Sequence, residues 1–401
     1  MRSDSEENTL KDLRNRIDLL SRGILLPDES VPAVHIQSMR GGAGPQGVSC
    51  YIGNAPGKHS SQISLVIYPK NHYMAQYALP TKWWEEGYPM KTAENKKRII
   101  YTDDSIFLEE ISHDWQGISP DDRIRVQSLK ARLHPYQTYS SCLYRSCRHL
   151  EKNAGCKFCT TDLPLNRFNI PKRQPEQLNL EYLKLAIASG SIRSVNVTSG
   201  TIETPESTGR ELLTLARRIR EETGLSVHVQ TEPILDPALL KELSSTVDSI
   251  GIFLEFFDEK VRQKICPGKA QAFTQEDYMR SWEMAVSCFG WGKVWNISIV
   301  GFDEDYETTL KGIEKAAGIG VMTSFFLLRV GSPALGEFVP TYIGREDEVL
   351  QLHMELGKIL VKNAVDNVSP ESSGCLGCQG CNATKEAVKW ARAALKKKFN
   401  D

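Results

Sequence analysis

An α/β chain built around a partial (β/α)6 barrel of the TIM type is the fold class this sequence predicts, and three observations predict it. Short apolar, β-branched runs alternate with longer runs of helical periodicity across residues 133–340. That alternation implies a parallel sheet with helices packed on it. No G-x-G-x-x-G follows a strand run, so the motif that would favour an open doubly wound sheet is absent. Seven of the ten cysteines fall in two clusters, 142–159 and 375–381, where clustered thiols suggest metal rather than a disulfide framework.

The elements follow in order. "LKDLRNRIDLLSRGILL" has helical periodicity, "MRGGAGPQG" (39–47) is a glycine-rich turn cluster, and "QISLVIYP" (62–69) reads as a strand. "YALPTKWWEEGYP" is rich in turns and aromatics, so residues 1–132 are expected to form an α+β accessory domain. "HPYQTYSSC" leads into the first cysteine loop, and "PEQLNLEYLKLAIAS" reads as a helix with Pro175 near its start. Strands are then expected at "IRSVNVTSG", "LSVHVQTEP", "SIGIFLEFF", "KVWNISIVGF" and "MTSFFLLRV". The helices between them are "STGRELLTLARRIREETG", "DPALLKELSSTV", "TQEDYMRSWEMAVSCFG" and "DYETTLKGIEKAAGIG". Residues 341–401 read as a C-terminal extension of two helices flanking "SPESSGCLGCQGC".

Composition bounds the function. A net charge of −1 argues against a global nucleic-acid or membrane field. The polar start "MRSDSEENTL" is no signal peptide, and no run of about 18 apolar residues suggests a membrane span. A cytoplasmic protein is expected.

The first cluster holds Cys142, Cys147, Cys156 and Cys159. One reading is a structural zinc site, which usually uses two tight cysteine pairs; here there is only one. The other is an iron–sulfur cluster on three cysteines with one iron left open. The loop follows the first barrel strand, at the end where barrel active sites lie, and Phe158 supplies an aromatic wall. Carboxylates also stand at strand ends, Glu232 in "HVQTEP" and Glu255 in "IFLEFF". Both point to the barrel mouth, where they can bind ribose hydroxyls or an ammonium. An acid inside an apolar strand is costly unless paired, which favours a role for Glu255.

"CKFC" resembles the ending of the radical S-adenosylmethionine (SAM) motif, Cys-x-aromatic-Cys. The commonest family spacing is x3 then x2; "CRHLEKNAGCKFC" has x8 then x2, similar to divergent members with a widened first gap. The resemblance implies a [4Fe–4S] cluster on Cys147, Cys156 and Cys159, with Cys142 as the alternative first ligand. It implies SAM contacts at Phe158 and at the Thr198–Ser199–Gly200 turn, which would bind the SAM amino group. It also implies Gly301 beside adenine, contacts from Glu232 and Glu255, and Arg329 pairing with the SAM carboxylate or a substrate acid. "RGGAGP", "VTSGT", "VQTEP", "PGKA" and "GCLGCQGC" are together similar to radical SAM proteins encoded beside nitrilase-like enzymes. The barrel more generally resembles biotin synthase and lipoyl synthase.

Cys375, Cys378 and Cys381 have the C-x2-C-x2-C spacing that begins a ferredoxin-type run, but position 385, where a further cysteine would stand, is Lys. An auxiliary Fe–S cluster of [4Fe–4S] type is expected near the barrel mouth. Its fourth ligand is Cys142 or, alternatively, Cys50, Cys266, Ser372, Ser373 or substrate; zinc is the competing metal. The expected activity is reductive cleavage of SAM to a 5′-deoxyadenosyl radical that abstracts a substrate hydrogen. Sulfur insertion into a small or carrier-bound molecule is the outcome favoured by the second cluster. Rearrangement, C–C or C–N bond formation and oxidation are alternatives, as is a zinc- or Fe–S-stabilised scaffold or sensor. The basic tail "KEAVKWARAALKKKFND" is a solvated helix face or a docking face for a donor of flavodoxin or ferredoxin type.

Overall fold

The computed structural model describes residues 5–25, 48–55, 58–83, 99–103, 106–110, 132–134, 138–162, 172–173, 176–188, 192–366 and 372–398. Six parallel strands form its centre: β1 (Thr138–Cys142), β2 (Ser194–Thr198), β3 (Ser226–Thr231), β4 (Ser249–Ile252), β5 (Val294–Val300) and β6 (Val321–Leu327). They pair in chain order, and strand Arg132–His134 adds antiparallel to β1. Among the described residues β6 does not pair back to the other edge, so the barrel is partial, as predicted. β1, β4 and β5 are buried along their whole length, as expected where both faces of a parallel sheet are covered.

The helices form where the caps predict. Thr204 and Ser207 make a capping box at the start of Pro205–Thr223, and Gly224, at φ 70°, ends it in the left-handed region. Thr274 and Asp277 make a second box for Gln275–Phe289. Asp236, Asp258 and Asp305 cap Pro237–Ser244, Glu259–Ile265 and Tyr306–Gly318. β4 is shorter than its apolar run suggests. It ends at Ile252 because Glu255, at φ 66°, takes a left-handed turn that interrupts extended structure.

The N-terminal part holds a five-stranded sheet, in order Lys58–Leu65, Val48–Ala55, Ile106–Glu110, Ile99–Asp103, Lys82–Trp83. The predicted strand 62–69 divides at Val66: Lys58–Leu65 stays in this sheet, while Ile67–Tyr68 pairs parallel with Ile24–Leu25. The turn cluster 39–47 lies outside the described residues, and "YALPTKWWEEGYP" is described only to Trp83. Helices Glu6–Arg22, Glu346–Lys362 and Thr384–Lys398 pack on one another. Gly357 lets the last two approach, since a Cβ there would sit 2.3 Å from the Ala387 carbonyl oxygen. One apolar core runs from Leu13 through Val195 and Phe325 to Ala391. No helix among the described residues is long and apolar enough to cross a membrane.

Candidate active site

The loop after β1 is fixed to the turn after β2 by backbone hydrogen bonds. Leu143 N–H donates to Thr198 O, Gly200 N–H to Tyr144 O, and Arg148 N–H to Thr201 O, all at 2.8–2.9 Å. Gly200 is required for this contact: a Cβ there would fall 1.7 Å from the Ser146 carbonyl oxygen. Cys147 then opens a helical turn, Arg148–Glu151, and the chain reverses at Asn153, φ 55°. Gly155 packs against Leu150 so closely that a Cβ would lie 2.3 Å from it. The eight-residue gap is therefore one folded turn that brings Cys156 back to Cys147. The returning segment is clamped to the residues after β4, with Lys157 N–H donating to Ile265 O and Gly268 N–H to Ala154 O.

Cys142, Cys147, Cys156, Phe158 and Cys159 line one cavity at the carboxyl ends of β1–β4. Thr198, Ser199, Gly200, Glu232 and Glu255 line it too, as do Gln230, Thr231, His149 and Lys269. Most of the predicted site residues thus converge. Gly301 and Arg329 are not among the lining residues. Gly301, at φ 133°, receives the side chains of Leu328 and Tyr342, and Arg329 donates to Ser64 O in the N-terminal sheet.

The two predicted glutamates differ. Glu232 is buried and accepts from His149 Nε2 at 2.8 Å and from Arg148 Nη2 at 3.4 Å. Burial raises its pKa, but the His149 bond and the Lys269, His149 and Arg148 charges outweigh burial and hold it below the ordinary carboxylate value. Glu255 is buried in a strained backbone conformation, and burial pushes its pKa up against the pull of Lys269, 2.5 Å away. Among the described residues its Oε2 has no partner, and neither does Thr231 Oγ1. Burial works against the Lys269 ammonium, but Glu255 and its neighbours keep it charged, well above the ordinary lysine value. The Cys156 thiol is raised by a hydrogen bond with Cys266 and by burial, whereas a bound metal deprotonates a coordinating thiol outright.

The second cysteine run occupies the barrel interior. Helix Gly374–Cys378 packs on β1, β2 and β3. Cys375 is hydrogen-bonded to Gln230, which also lines the first cavity and donates to Asn196 Oδ1 at 3.1 Å. Two buried cations hold the run through its carbonyls. Arg16 donates to the oxygens of Asn382, Gln379 and Gly380 at 2.7, 3.2 and 3.2 Å and pairs with buried Glu386. Lys385 donates to the oxygens of Gly377 and Cys378 at 2.7 and 3.1 Å, and burial lowers its pKa to about 8. Cys142, the predicted fourth ligand, lines the first cavity instead and donates its thiol to Tyr144 O at 3.3 Å.

Sequence reasoning did not select His149, Arg148, Gln230 or Thr231, and Lys269 entered only within the stretch "PGKA". A signal existed for Gln230. Strand alternation puts His228, Gln230 and Glu232 on one side of β3, and Glu232 already marked that side as inward.

Three thiols in a folded loop over the ends of parallel barrel strands, beside an acid with an oxygen left unpartnered among the described residues, define a cofactor site of the α/β-barrel type. Residues 152–328 match the family model of the Radical SAM superfamily. The match includes Cys156 and Cys159; Cys147 precedes it and the C-terminal run follows it. No curated protein matches the chain. Similar solved structures include methylornithine synthase (PylB), 13% identical over 68% of this chain and 77% of that one, with a TM-score of 0.43. The FeFe-hydrogenase maturase HydG from Carboxydothermus hydrogenoformans is 14% identical over 62% and 58%, TM-score 0.44. A radical SAM methyltransferase from Sphaerobacter thermophilus is 12% identical over 74% and 81%, TM-score 0.42.

The matched family model implies reductive cleavage of SAM at a [4Fe–4S] cluster. Among the described residues no three His, Cys, Asp or Glu side chains converge on a single ion, so the fit lies in the cavity as a whole. Three thiols, Glu255 Oε2 and Thr231 Oγ1, which have no partner among the described residues, and the Gly200 turn line this cavity together and fit a cluster with a polar adduct.

Proposed function

We propose that Cys147, Cys156 and Cys159 hold the [4Fe–4S] cluster and that SAM lies between it and Glu255. The convergence of those thiols with Thr198–Gly200, Glu232 and Glu255 on one cavity carries this reading. Such a cluster, held by these three residues, would supply SAM binding and the electron for its reductive cleavage. The chain's own residues bind and exclude. The Thr198–Ser199–Gly200 turn presents hydroxyl and backbone groups to the SAM amino end. Glu255 offers Oε2 to a ribose hydroxyl or an ammonium while Lys269 neutralises the carboxylate. Glu232 fixes the insert through His149 and Arg148, and so closes one wall of the cavity against water. In this reading Gly301 and Arg329 act by shaping the far side of the barrel, through Tyr342 and Ser64.

The second run, Cys375, Cys378 and Cys381, binds an auxiliary Fe–S cluster in this reading. What supports it is the three buried or half-buried thiols one side chain, Gln230, from the cavity. Two buried cations beside the run offset the negative charge of a thiolate-ligated cluster. Sulfur insertion of the lipoyl or biotin synthase type into a small or carrier-bound substrate uses such a cluster. Electron transfer in a rearrangement, coupling or oxidation is the other use. A flavodoxin- or ferredoxin-type donor in the cytoplasm would supply electrons.

The test is anaerobic reconstitution with iron and sulfide, followed by reduction in the presence of SAM. The expected result is roughly eight irons per chain, four for each cluster, and release of 5′-deoxyadenosine. Stoichiometric zinc without SAM cleavage would identify a scaffold and overturn the reading.

A further inference from the structure

One thiol of the first cysteine loop meets a cysteine from another part of the barrel. Cys156 lines the cavity, and its sulfur is hydrogen-bonded to Cys266, which has no exposed surface and does not line the cavity. The backbone sets this pair. Lys157 N–H donates to Ile265 O and Gly268 N–H to Ala154 O, both at 2.9 Å. These two bonds run antiparallel and bracket Cys156 and Cys266, so the two cysteines stand opposite one another. Gly268 allows the approach, since a Cβ there would fall 2.5 Å from Ala154 O. Cys266 is fixed at the junction of helices Glu259–Ile265 and Pro267–Ala272. Its N–H donates to Arg262 O at 2.7 Å, and its carbonyl accepts from Ala270 N–H at 2.9 Å. Opposed residues on antiparallel segments have Cα atoms about 4.5–5.5 Å apart, inside the span of about 4.4–6.8 Å that a disulfide bridges.

The other thiols of the loop are engaged elsewhere. The Cys147 sulfur accepts from the backbone N–H groups of His149 and Thr201. Cys159 meets Thr161 Oγ1 at 3.2 Å, and Cys142 donates to Tyr144 O at 3.3 Å. Cys156 is thus reachable from the cavity, and the sulfur placed behind it is that of Cys266. A cysteine that a small oxidant can reach, next to a resolving cysteine that it cannot, is the arrangement of a reversible thiol oxidation site.

We propose that Cys156 and Cys266 form a reversible disulfide when hydrogen peroxide reaches the cluster-free chain. The Cys156 sulfur attacks the peroxide; the O–O bond breaks, one oxygen stays on sulfur as the sulfenic acid and the other leaves as water. The Cys266 sulfur then attacks the Cys156 sulfur; the S–S bond forms, the S–O bond breaks, and the hydroxyl leaves as water with the Cys266 proton. The two thiols lose two electrons and the peroxide gains them. The disulfide keeps Cys156 from sulfinic and sulfonic acid, which thiol reductants do not reverse. That it also blocks cluster loading rests on reading Cys156 as a cluster ligand; the disulfide itself does not rest on that reading.

The test uses the full chain, stripped of metal with a chelator, treated anaerobically with hydrogen peroxide, blocked with an alkylating reagent and digested without reductant. Mass spectrometry should find peptides linked through Cys156 and Cys266 as the main product. The linked chain should take up about half the iron of the untreated chain on reconstitution, and dithiothreitol should restore the rest. In Cys266→Ser the same dose should leave Cys156 as sulfinic or sulfonic acid, beyond recovery by dithiothreitol. No link, a main link from Cys156 to Cys147 or Cys159, or equal recovery of Cys156 in wild type and Cys266→Ser overturns the pair. The wild-type peptide map decides even where circular dichroism shows that Cys266→Ser has lost the fold. A Cys156–Cys266 link with iron uptake undiminished before reduction upholds the pair and overturns Cys156 as a cluster ligand.

Discussion

The two cysteine regions contain the same chemical group in opposite settings. At the barrel mouth, the loop 142–159 borders a cavity that is also lined by the oxygens of Glu255 and Thr231 left without a partner among the described residues. In the barrel interior, the run 375–381 is held from behind: Arg16 and Lys385 occupy its carbonyls, and His228 and Gln230 face its helix. The mouth keeps its polar capacity open for something that arrives. The interior uses its polar capacity to hold the run. Catalytic metal sites keep an open position and structural ones are closed, and the same distinction separates these two regions.

Substitutions put that contrast to the test. The largest effect is expected from Cys156→Ala, which should reduce 5′-deoxyadenosine release to background and remove about half the iron, since about four of roughly eight irons belong to the first cluster. If cleavage survives, Cys156 is no ligand and the mouth is not the cluster site. Cys378→Ala comes next. Product should vanish in the native reaction while SAM cleavage stays within about tenfold of wild type, a barrier change of about 1.4 kcal/mol. Equal loss of both would make the two regions one functional unit.

Arg16→Met tests the grip alone. It leaves buried Glu386 and the carbonyls of the run without their cation, so denaturant unfolding should show a loss of about 3–5 kcal/mol. A loss below about 1 kcal/mol, the value of an exposed pair, would mean that the run is not held in this way. Glu232→Gln should have the smallest effect. It weakens the tie to His149 and Arg148, so amide exchange in residues 148–155 should accelerate about tenfold, or about 1.4 kcal/mol of local opening. Residues 375–381 should exchange as before, and a change there would couple the two regions.

Part of this site is legible in the amino-acid sequence. The strand-end glutamates and the turn Thr198–Gly200 can be placed because strand period and barrel polarity put them at the mouth. Cys147 can be weighed against Cys142, but spacing does not show that the insert folds into a single turn. That depends on Asn153 adopting φ 55° and on Gly155 packing against Leu150. The basic tail suggests a solvated face, yet Lys385 and Glu386 are buried. Their helix is drawn in by Arg16, which lies more than 360 residues earlier in the chain.

Short-range causes settle the elements and the chemical inventory: six strands, their capped helices, and two groups of cysteines. Period, caps and residue type are written locally, so the linear chain is enough to read them. Which faces meet is a matter of long-range packing. Packing brings the C-terminal run inside the barrel, turns Glu255 into a left-handed conformation at the cavity, and sets His228 against Gly374. The first and last of these contacts join positions well over a hundred residues apart. They are selected by burial and by pairing of polar groups, which no local pattern records.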